Sequence, residues 1–96
     1  MDQIERITHM ENILNEAKEA LSALEKALDR YDAVREGLAE LEAYYSGRLW
    51  MQDFEDDRAG KIPRDLRRGV LSEDAVYDLL TDQFYLLERI QELGED

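Results

Sequence analysis

Cysteine is absent from this chain, and with it any disulfide framework or thiolate-held metal. A chain without disulfides suits a reducing compartment. One proline and five glycines leave little to interrupt helices. A single histidine, His9, offers no second imidazole for a metal site or a proton relay. No apolar run approaches the ~18 residues needed to span a bilayer. The opening segment MDQIERITHM has acids and polar residues where a signal peptide needs a basic start and an apolar stretch. The chain therefore reads as cytoplasmic, with no membrane partner.

Basic residues are also scarce: 12 Lys and Arg face 24 Asp and Glu, for a formal charge of −12. Phosphate contacts need Lys and Arg, so direct binding of nucleic acid is not expected. A charged partner would be a basic protein. With 44% hydrophobic residues the chain holds enough apolar material to fold. Ninety-six residues suffice for one domain with a thin core, not for two independent ones.

The apolar residues follow helical spacing. Ile7, Leu14, Leu21 and Leu28 recur every seventh residue, with Met10, Ala17, Leu24 and Tyr31 between them. This is a heptad seam held over about four repeats. Arg35 and Glu42 break its register, and the stripe resumes at Val34, Leu38, Leu41 and Tyr45. No strong breaker precedes Gly37, so one continuous helix is expected through Tyr31–Gly37. Ser46–Gly47 then punctuates the chain, and Trp50 and Phe54 stand one turn apart in a short amphipathic segment. Gly60, Pro63 and Gly69 mark a loop in which Pro63 opens at most one helical turn. Ser72 is placed to cap a last helix, with Leu71 and Val76 at staple spacing, and Gly94 ends it.

These signals predict an all-α fold. A long N-terminal helix (about 3–45) packs antiparallel with a C-terminal helix (about 73–93), as a helical hairpin or small bundle. A short helix (about 48–57) and a loop (58–71) lie between them, within a single domain over 1–96. The first 30 residues carry more seam than a C-terminal helix of roughly 22 residues can cover at ~1.5 Å per residue. That surplus points to a homodimer or a protein-binding groove.

Charge is distributed unevenly. Residues 59–71 carry +3, with Lys61, Arg64, Arg67 and Arg68 opposed only by Asp65. Neutralisation against the protein's own acids is the plainer explanation of this island than a phosphate dock, because it lacks interleaved aromatics. Asp74, Asp78 and Asp82 fall at i, i+4 and i+8 on the last helix. Glu25, Asp29, Asp32, Glu36 and Glu40 make a second acidic row on the first. Carboxylates four residues apart lie ~6 Å from each other along a helix, near the spacing of phosphates on one strand. These eight residues are the candidate partner-binding positions, although a solvated acidic face is the commoner use of such rows.

Catalytic, cofactor-binding and metal-ligating residues are not expected. A calcium loop starting at Asp53 needs glycine at its sixth position and glutamate at its twelfth, and Arg58 and Arg64 stand there instead. No nucleophile–base constellation or glycine-rich phosphate loop appears. Tyr44, Tyr45, Trp50, Phe54, Tyr77, Phe84 and Tyr85 are expected to serve as core.

The stretch LEAYYSGRLWMQDFEDDRAGKIPRDLRRGVLSEDAVYDLL resembles an uncharacterised bacterial family, domain of unknown function 4298. The heptad-bearing first helix and the ending YLLERIQELG fit it as well. The resemblance implies a compact helical bacterial protein and supplies no activity, cofactor or catalytic residue. The expected function is non-enzymatic protein interaction or oligomerisation. The alternative is an acidic mimic of nucleic acid that inhibits a nucleic-acid-binding enzyme, such as a phage-encoded anti-defence protein.

Overall fold

A computed structural model of the chain describes residues 1–95. It is 81% helical, with three α-helices, and no strand occurs among the described residues. The expected all-α class is the one found. Helix α1 runs unbroken over Gln3–Tyr45, α2 over Arg48–Arg58 and α3 over Ala75–Gly94, with a 3-10 turn at Gly69–Leu71.

The ends of these helices follow from particular side chains. Asp2 caps α1: the Glu5 backbone N–H donates to Asp2 Oδ1 at 2.8 Å, and the Arg6 N–H donates to the Asp2 carbonyl at 2.9 Å. The side chain thereby satisfies one of the four donors that every helix start leaves unpaired, and the carbonyl accepts the first regular bond of the helix. At the other end, Gly47 N–H donates to the Tyr44 carbonyl at 3.0 Å, and a Cβ at Gly47 would stand 3.1 Å from the Ala43 carbonyl oxygen. Close backbone approach there favours a residue without a side chain.

Helix α2 ends in a Schellman motif. Lys61 N–H reaches back to the Asp56 carbonyl at 2.9 Å and Gly60 N–H to that of Asp57 at 3.1 Å. Gly60 carries the required left-handed backbone, at φ +76°. Pro63 opens a hydrogen-bonded turn, with Leu66 N–H donating to the Pro63 carbonyl at 3.2 Å, rather than a turn of helix. The N-cap position of α3 falls at Asp74 rather than at Ser72, although Ser72 Oγ accepts from the Ala75 N–H at 3.1 Å and so satisfies the first donor of the helix. Gly94 is the last residue of α3 and ends it without left-handed backbone.

The chain divides into two units, Met1–Glu36 and Gly37–Asp96. The first is helix alone, with no buried residue and only Tyr31 half-buried. The second holds the core, formed by Trp50, Leu71 and Val76, which are 7, 7 and 3% exposed. Within it the 3-10 turn packs against both α2 and α3. Leu71 and Val76, placed at staple spacing, are both buried. Among the described residues no helix is long and apolar enough to cross a membrane.

Candidate functional site

The second unit is organised around Trp50. Its indole Nε1–H donates to the Val70 carbonyl at 2.8 Å, satisfying the one polar atom of an otherwise apolar ring. Tyr45 meets it edge-on, with centroids 5.0 Å apart, and Phe54 stacks on it at 5.1 Å. The Arg58 guanidinium lies 5.6 Å from the centre of the Phe54 ring. Tyr45 OH donates to the Glu73 carbonyl at 3.3 Å. Trp50 thus acts as core, while Tyr44, Tyr45 and Phe54 are half-buried. Tyr77, Phe84 and Tyr85 do not act as core, since all three are about 60% exposed. At 100° per residue they lie ~80–180° around α3 from Val76, beyond the stripe that the small core can reach.

The acidic run on α2 is spent on structure. Tyr44 OH donates to Asp53 Oδ2 at 2.7 Å. Arg68 reaches Asp57 at 3.0 Å, and Lys61 lies 3.9 Å from Asp56. Burial of Tyr44 pushes its phenol up to about 12, reinforced by the hydrogen bond to Asp53 and by that carboxylate's charge. Two of the four basic-island residues therefore neutralise the protein's own acids. Arg64 and Arg67 are exposed and make no ion pair among the described residues. The described residues contain no cluster of three or more His, Cys, Asp or Glu side chains able to hold a metal.

All eight candidate partner-binding residues are exposed. Asp74, Asp78 and Asp82 lie on the side of α3 opposite Val76. Glu25, Asp29, Asp32, Glu36 and Glu40 run along α1, where Asp32 pairs with Arg35 at 3.2 Å and both side chains stay solvated. In the heptad with Ile7, Leu14, Leu21 and Leu28 at position a, Glu25 and Asp32 fall at e. They flank the apolar seam directly, so a surface that meets this row also meets the seam.

The seam is exposed from Ile7 to Leu28, and Tyr31 is half-buried. Ile7 is 59%, Leu14 48%, Leu21 66% and Leu28 43% exposed, and Met10 and Leu24 are open as well. Ile13, Ala20 and Ala27 at position g widen the apolar face on the side opposite the acids. The sequence alone locates this surface; the residues it does not locate are the structural pairs Tyr44–Asp53 and Arg68–Asp57. Those join segments nine and eleven positions apart, for which linear spacing carries no signal.

No curated protein and no solved structure matches the chain. A family model does match, the domain of unknown function DUF4298, over residues 7–93. That span takes in the seam, the Trp50 cluster and nearly all of α3, and the chain belongs to the DUF4298 family.

Proposed function

We propose that this chain is a non-catalytic protein-interaction module that binds through the apolar seam of α1. One observation supports the reading: residues spaced every seventh position from Ile7 to Leu28 are all open to solvent. A contiguous apolar stripe of this length is costly to leave wet, and on a soluble helix it marks a site of association. A partner that covers it contributes roughly 25 cal/mol for each Å² of apolar surface removed from water.

The test compares the natural chain with Leu14→Asp/Leu21→Asp. Leu14 and Leu21 are both exposed, so the variant should keep its helical circular dichroism. Its molar mass by light scattering, or the set of proteins it captures from cells, should then change. A variant that matches the natural chain in both measurements overturns the reading.

A second reading, mimicry of nucleic acid, draws on Asp74, Asp78 and Asp82. All three are exposed and none meets a cation among the described residues. It requires a partner with a basic groove and affinity that falls steeply with salt.

A further inference from the structure

We infer that the occupant of the α1 seam is the same seam of a second copy, running antiparallel, with Leu21 of each chain facing Leu24 of the other. This rests on the interaction reading above and adds the partner, its direction and its register.

Side-chain size selects the direction. In a parallel, in-register pair each seam residue meets its own counterpart, so Ala17 faces Ala17 and leaves a gap, while Tyr31 faces Tyr31 and crowds. Leu at position a also departs from the β-branched choice that favours parallel two-stranded coils. In an antiparallel pair, a positions face d positions. With Leu21 opposite Leu24, Ala17 meets Leu28 and Leu14 meets Tyr31, small against large at both sides of the centre.

Charge selects the partner and the register. Position e faces e in this arrangement, which brings Lys18 against Glu25 twice, once at each side of the two-fold axis. Neither has an opposite charge three or four residues away on its own helix, and neither makes an ion pair among the described residues. Further out, Glu11 approaches Asp32 of the second copy, and Arg35, already 3.2 Å from Asp32, offsets that like-charge contact. Shifting the register by two heptads to place Lys18 on Glu11 leaves Leu28 opposite Gln3 and Tyr31 beyond the overlap. The last helix is a poorer occupant, because residues 72–96 carry −7 against −4 for residues 1–32.

Spin labels on the outer face read the geometry. At 1.5 Å per residue, labels on Asn12→Cys lie ~32 Å apart along the dimer axis, and labels on Lys26→Cys lie ~11 Å apart. A parallel pair gives equal distances at both sites, and the shifted register reverses their order; either result overturns the inference. Charge exchange gives an independent reading. Lys18→Glu should weaken the dimer roughly tenfold, and Lys18→Glu/Glu25→Lys should restore it. Failure of that rescue overturns the register. A monomer at high concentration overturns the second copy as occupant. If that monomer still captures another protein through Leu14 and Leu21, the interaction reading stands without it.

Discussion

Trp50 is the side chain on which the second unit depends, because it is 7% exposed, satisfied at Nε1 and flanked by Tyr45 and Phe54. Trp50→Ala should cost ~3–5 kcal/mol, enough to remove cooperative melting from so small a core. An unchanged melting temperature would show that the ring carries no packing energy. Tyr44 offers a test by pH. Its phenol is held protonated to about 12, above the ordinary value near 10. The folded chain therefore binds this proton more tightly than the unfolded one does. Its contribution to stability is whole below pH 10 and is lost as pH rises from about 10 to about 12. Ultraviolet titration should show one of the five tyrosines ionising last, and Tyr44→Phe should remove that step. A titration in which all five ionise together would place Tyr44 in water.

Among the elements, α2 is the one whose end depends on a single backbone angle. Gly60 sits at φ +76° with open space around its Cα, so Gly60→Ala adds no clash and only left-handed strain. Denaturant unfolding should show a loss of about 1 kcal/mol, and no loss would mean that the chain ends α2 by another route. Helix α1 is the opposite case. Residues 3–36 have caps and heptads but no buried side chain, and an isolated helix draws little stability from propensity alone. Amide exchange over this stretch should be faster than in α2 at low protein concentration, and should slow as concentration rises and the seam pairs. Exchange independent of concentration would separate the seam from self-association.

At the scale of the whole molecule, the formal charge is −12, and its acidic rows can be tested together. Replacing Asp74, Asp78 and Asp82 together with Asn removes three solvated like charges and keeps their shape. The melting temperature should hold or rise slightly, since repulsion at i, i+4 is relieved. Partner binding through apolar anchors should also stay nearly unchanged. A variant that folds normally but loses its partner in proportion to salt would favour nucleic-acid mimicry instead. Coulomb attraction between solvated charges fades over a Debye length of ~8 Å at physiological ionic strength, so the salt series separates the two readings.

The sequence by itself determined the helices, because their signals are local. Heptad spacing, the Ser46–Gly47 break, the Ser72 hydroxyl and the absence of alternating strand patterns act within a few residues of where they stand. Continuity through Gly37 was legible for the same reason, as one glycine costs less than the turns on either side supply. Only the tertiary structure decided which apolar residues form the core. Trp50, Leu71 and Val76 are buried, while Leu21, Tyr77 and Phe84 are not. Burial depends on what stands opposite a side chain, and that neighbour lies far away in the chain. The same holds for the acids: the spacing of Asp53, Asp56 and Asp57 fails as a calcium loop but does not tell what they meet, and folding brings a hydroxyl or a base within 4 Å of each.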